Sequence, residues 1–95
     1  MAIGSEQRRQ ERKCRIEALF AVDQIEAVLD LLDLMDRAWH DCYGPRELEV
    51  PPDVLADVLL LADGDLAVLV RVARRAVIDV RDVWVAAAAR RGEAR

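Results

Sequence analysis

The residues best equipped for chemistry lie together in Trp39-His40-Asp41-Cys42-Tyr43-Gly44-Pro45, which holds the only histidine and the only tyrosine of the chain. A histidine beside an acid and a thiol is raw material for a nucleophile or a metal site. The spacing works against both. On a helix, adjacent residues fan out by about 100° each, so His40, Asp41 and Cys42 do not converge on one atom. Asp36 and His40, at i,i+4, share a side and offer one hydrogen bond or half a metal site. A zinc site needs about four ligands, more than this segment provides. A di-metal carboxylate site needs Glu-x-x-His, and the residue three before His40 is Arg37. The sequence has no Gly-rich phosphate loop, no Gly-x-Ser-x-Gly and no Cys-x-x-Cys. We therefore expect no catalytic residue, no metal and no cofactor, and a protein that is not an enzyme. Trp39 and Cys42 are expected in the core, with His40 and Asp41 solvated or capping a turn.

Charge offers a second kind of chemistry. The net charge of −4 hides three segments: residues 1–15 sum to +3, residues 16–65 to −11 and residues 66–95 to +4. The basic arm carries Arg8, Arg9, Arg12, Lys13 and Arg15, of which Arg8, Arg12 and Arg15 share a helical side. It suits phosphates or an acidic partner, although Glu6 and Glu11 dilute it and no aromatic is present for base stacking. The acidic row Asp23, Glu26, Asp30 and Asp33 suits a basic partner or imitates a nucleic-acid backbone. Thirteen Arg against one Lys, with no Asn or Thr, reads as coding bias rather than phosphate recognition. Arg75 and Asp79, at i,i+4, read as a surface helix pair.

These groups must be positioned by helices. Ala18, Ala21, Ile25, Val28, Leu32, Met35, Trp39 and Cys42 recur at three and four residues, the spacing of a helix that packs on another helix. Ser5 is a candidate N-cap for this first long helix, and Gly44-Pro45 stops it. Pro51-Pro52-Asp53 opens a short second helix, and Asp63-Gly64-Asp65 closes it. A third helix follows to about Arg91, with Gly92 after it, and carries its own stripe: Leu66, Val70, Ala73, Val77, Val80, Trp84, Ala87. No strand pattern appears. The expected fold is all-α: an antiparallel, coiled-coil-like hairpin of two long helices (about 16–43 and 65–91) with a short middle helix (52–62). Residues 1–15 form a basic arm or helix overhang, and residues 16–92 a single domain. Laid antiparallel, the stripes pair Ala21 with Trp84, Ile25 with Val80 and Trp39 with Leu66.

Such a hairpin has too much apolar surface for its size. Apolar residues make up 54% of the chain, and only ten positions of residues 16–43 are polar. A small domain buries this much poorly on its own. We expect a homodimer or a protein partner, completing a helical bundle through Phe20, Leu31, Leu34, Leu69, Val72 and Val83. The expected function is a protein–protein interaction and dimerisation module. The alternative is a small regulator that acts on nucleic acid through the basic arm or as an acidic mimic. The longest unbroken apolar run, Val83 to Ala89, is far short of a membrane span, and the first residues run into charges without an apolar core. On one continuous helix Cys14 and Cys42 stand roughly 42 Å apart, too far to bridge. A cytoplasmic location is expected.

Overall fold

The stripe of Ile25, Val28, Leu32, Met35 and Trp39 is buried along the whole of one helix, α2 (Ile25–Tyr43). Around it the computed structural model, which describes residues 2–92 and the side chains of residues 6–92, places four more helices. These are α1 (Ala2–Ile16), α3 (Pro52–Ala62), α4 (Leu66–Ile78) and α5 (Val80–Arg91), with one 3-10 turn at Val22–Gln24. The described residues contain no strand. The fold is all-α. Ser5, the candidate cap, lies outside the described side chains.

Both long helices expected from the sequence are broken. The first breaks between Ile16 and Ile25, in a segment with no Gly or Pro to break it. Local propensity favours helix there, and tertiary burial overrides it: Ile16 and Phe20 enter the core, and α1 folds back against α2. The ends of the stripe lose their place as a result, and Ala18, Ala21 and Cys42 are exposed. The second long helix breaks at Asp79, whose backbone is extended (φ −153°, ψ 91°). Its carboxylate accepts from the Arg81 N–H at 3.1 Å, which makes Asp79 the N-cap of α5. Asp79 is thus a cap, and Arg75 pairs with Asp82 instead, at 3.6 Å.

α3 then sets the topology. Its Pro52 stands in the first turn, where a missing N–H costs nothing. The helix is long enough to carry the chain back to the level at which α2 starts. Gly64, in the turn after it, has φ +78°, and a Cβ there would lie 2.6 Å from the Leu19 carbonyl oxygen. Glycine is needed both for that backbone conformation and for that contact. Starting again from this end, α4 runs beside α2 in the same direction. Gln24 and Leu66 line one hollow at the start of both helices, and the Tyr43 hydroxyl donates to the Val77 carbonyl at their ends, at 3.1 Å. The antiparallel hairpin does not form, because it treated α3 as a connector and not as a reversal of the chain.

α5 packs on α3 and α4 and buries Val83 and Ala87. Arg91 reaches the buried Asp57 carboxylate at 2.7 Å and anchors the far end of α5 on α3. α5 packs on α3 and α4 and not along α2, and Trp84, expected to face Ala21, is 63% exposed. The core is one cluster, centred on Val28, Leu29 and Leu32 of α2, Val58 of α3 and Leu69 of α4.

Candidate functional site

The two charged surfaces read from the sequence face each other. α1 lies on the acidic face of α2. The Arg9 guanidinium donates to Asp33 at 2.6 Å and to Glu26 and Asp30 at 2.9 Å each. Hydrogen bonding to Glu26, opposed by partial desolvation and reinforced by Asp30 and Asp33, holds Arg9 above its ordinary pKa. One turn on, Arg12 and Asp36 are both buried, and Arg12 grips Asp36 through both Nη atoms, at 2.8 and 3.0 Å. This parallel two-bond fork is the strong geometry for an arginine and a carboxylate. The Val50 N–H donates to the same carboxylate at 2.9 Å, so Asp36 joins α1, α2 and the connector before α3. Arg8 pairs with Glu49 of that connector.

This arrangement revises the candidate sites. Glu26, Asp30 and Asp33 have a cationic partner from their own chain, and Asp23 stands exposed in the 3-10 turn without an ion pair among the described residues. Arg8, Arg9 and Arg12 form the inner side of the arm, whereas the sequence had grouped Arg8, Arg12 and Arg15. Lys13 is half-buried and Arg15 exposed, neither with an ion pair among the described residues. Asp36, read from the sequence as a partner of His40, is instead the partner of Arg12. Its signal was present: Arg9 and Arg12 on one helix match Asp33 and Asp36 on another, each three residues apart.

The His40 segment is held by hydrogen bonds to the connector after it. The carbonyl of Glu47 sits 3.1 Å from His40 Nδ1, which places the proton on Nδ1. The Trp39 indole N–H donates to the Glu47 carboxylate at 3.1 Å. The Trp39 and Tyr43 rings contact at 4.3 Å between centroids. Tyr43 ties the end of α2 to α4 as described, with the Ala76 carbonyl at 3.4 Å. These bonds fold the connector onto α2. The His40–Asp36 bond does not form, since Asp36 belongs to Arg12 and His40 to Glu47. No set of three His, Cys, Asp or Glu able to hold a metal occurs among the described residues. Cys14 and Cys42 are free and exposed, on α1 and α2 rather than on one helix.

The opposite side of α2 differs. A groove of about 350 Å³ runs between α2 and α4, lined by Leu31, Leu34, Met35, Ala38, Val70, Ala73, Arg74, Val77 and Ile78. Its rim keeps Leu34 63%, Ile78 56% and Val70 47% exposed. Of the six residues expected at an oligomer interface, Phe20, Leu69 and Val83 are buried in the protomer's own core, because the two helix breaks fold their faces inward. Val72 is half-buried against that core. Leu31 and Leu34 line the groove. A larger hollow, about 670 Å³ beside the α3–α4 turn, gathers Gln24, Asp63 and Asp65 and no catalytic set.

Comparison with protein families, with curated proteins and with solved structures finds no match for this chain. No helix among the described residues is long and apolar enough to cross a membrane.

Proposed function

We propose that this chain is a non-enzymatic helical interaction module of the cytoplasm that works as a homodimer, with the α2–α4 groove as its contact surface. The observation that carries this reading is the groove itself: an apolar trough whose rim residues Leu34, Val70 and Ile78 stay in contact with water. A contiguous apolar surface left open on a small domain supports association. A second copy is the occupant that its charges suit. Arg74 lines the groove, and Asp41 continues the Leu34–Ala38 row one turn on; neither has an ion pair among the described residues. With a two-fold axis along the groove, Asp41 of each copy faces Arg74 of the other. Such a contact is self-complementary, as a two-fold interface must be. The two copies of α2 and α4 then make a four-helix bundle. The free, exposed cysteines fit a reducing compartment.

The nucleic-acid alternative is the weaker reading, since Arg8, Arg9 and Arg12 are paired with acids of their own chain and only Lys13 and Arg15 of the arm have no ion pair among the described residues. Sedimentation equilibrium at micromolar concentration tests the proposal. The wild type is expected as a dimer and Leu34→Glu as a monomer of unchanged helix content. A wild-type monomer removes the proposal.

A further inference from the structure

The segment that joins α1 to α2 is built unlike the other turns. Residues 17–24 read Glu-Ala-Leu-Phe-Ala-Val-Asp-Gln, with no Gly, Pro, Ser or Asn. Neither the 3-10 turn nor α2 begins with a side-chain cap, whereas Asp65 and Asp79 cap α4 and α5. The helical spacing Ala18, Ala21, Ile25 continues through the bend. Local sequence here encodes a straight helix, and only tertiary contacts bend it. Those contacts are of two kinds. Some belong to the bend itself: Phe20 in the core and the Leu19 carbonyl against Gly64. The rest belong to α1 and its docking face: Arg9 on Glu26, Asp30 and Asp33, Arg12 on Asp36, Arg8 on Glu49, and Ile16 in the core.

The second kind does not depend on which chain supplies α1. We propose that α1 also docks in trans: two copies exchange their basic helices, each lying on the acidic face of the other's α2, with residues 17–24 straightened into a continuous helix. Charge complementarity names the occupant, because the arm that fits this face is carried by every copy of the chain. The exchanged dimer keeps every α1 contact and changes only the hinge, which is why exchange of an identical element is a low-cost route to dimers. Helix gained at residues 17–24 offsets the loss of the bend's own packing. With native charges the arm stays on its own chain at micromolar concentration, and higher concentration favours the exchange, in which Val22, 90% exposed in the bend, has nothing to lose.

The test is a charge-reversed pair in the Leu34→Glu background, so that groove dimerisation cannot supply the result and its own failure is read separately. One chain carries Arg9→Glu, the other Asp30→Arg with Asp33→Arg. Within either chain position 9 meets like charge at 30 and 33, while Arg12–Asp36 and Arg8–Glu49 are the same in cis and in trans; exchanged between the chains, position 9 meets opposite charge on both faces. Native mass spectrometry of the mixture at micromolar concentration is expected to show heterodimer in about tenfold excess over either homodimer, a difference of roughly 1.4 kcal/mol. A second pair adds Ala21→Pro to both chains. Ala21 has φ −62° and ψ 147° and its N–H donates to no backbone carbonyl, so proline fits the bend. In a straight helix it removes a hydrogen bond and clashes one turn back. The heterodimer is expected to vanish and the monomers to remain helical by circular dichroism. Absence of heterodimer in the first pair overturns the proposal. So does a heterodimer that survives Ala21→Pro, or a mixture that fails to fold.

Discussion

On one side of α2, four carboxylates meet two guanidiniums of α1; on the other, Leu31, Leu34, Met35 and Ala38 meet α4 and an open groove. Both surfaces stand out in the sequence, and each alone suggests a partner. The charged one is satisfied within the chain, and no buried side-chain N or O atom among the described residues lacks a hydrogen-bond partner. The apolar one is left with its rim in water. A run of charge signals an external partner only after the chain's own opposite charges have been placed. Helical apolar surface that survives folding is the stronger sign.

The largest expected effect breaks the charged side. Arg12→Ala leaves Asp36 buried without its partner and is expected to cost about 3–5 kcal/mol, read by urea unfolding. Replacing both, as Arg12→Met with Asp36→Leu, recovers part of that loss. The Val50 N–H then loses its acceptor, which retains a cost of about 1–3 kcal/mol.

On the groove side Tyr43 is the side chain that hydrogen-bonds α2 to α4 among the described residues. Tyr43→Phe removes its bond to the Val77 carbonyl and is expected to cost about 1 kcal/mol in the same measurement, while leaving the α1 contacts intact.

The smallest effect separates the two halves of the charged side. Arg9 is half-buried but Glu26 and Asp30 are largely open to solvent, so Arg9→Gln is expected to cost less than about 1 kcal/mol. Salt reduces that contribution as the Debye length falls from about 10 Å at 0.1 M to about 3 Å at 1 M. The buried Arg12–Asp36 pair responds little. Because the folded pKa of Arg9 is raised, its contribution is complete below the ordinary guanidinium value and lost only as pH rises through the folded one. Unfolding curves at pH 6 and pH 9 are therefore expected to show no difference traceable to Arg9.

Much of this molecule was legible in the sequence, and what was missed lies at two helix breaks and in the direction of α4. The buried face of α2 from Ile25 to Trp39 follows directly from its three-four spacing. The stops at Gly44-Pro45 and Asp63-Gly64 follow from residues that cannot or need not continue a helix. The two missed breaks carry no glycine or proline. One rests on Asp79 acting as a cap in the middle of a valine-rich run, and the other on burial of Ile16 and Phe20. Both put Phe20, Leu69 and Val83 inside and so removed half of the expected oligomer interface. The direction of α4 beside α2 depends on where an eleven-residue helix sets the chain down, which periodicity does not encode. Leu34 was legible, because it lies off the stripe and nothing in the chain has to cover it.

The central claim is that α2 presents a satisfied charged face and an unsatisfied apolar one. Sedimentation equilibrium of three proteins tests it most directly: the wild type, Leu34→Glu, and Asp30→Asn with Asp33→Asn. A dimer for the wild type and for the Asn variant, with a monomer for Leu34→Glu, is the predicted result. A Leu34→Glu protein that remains dimeric, or a dimer lost on neutralising Asp30 and Asp33, would contradict it.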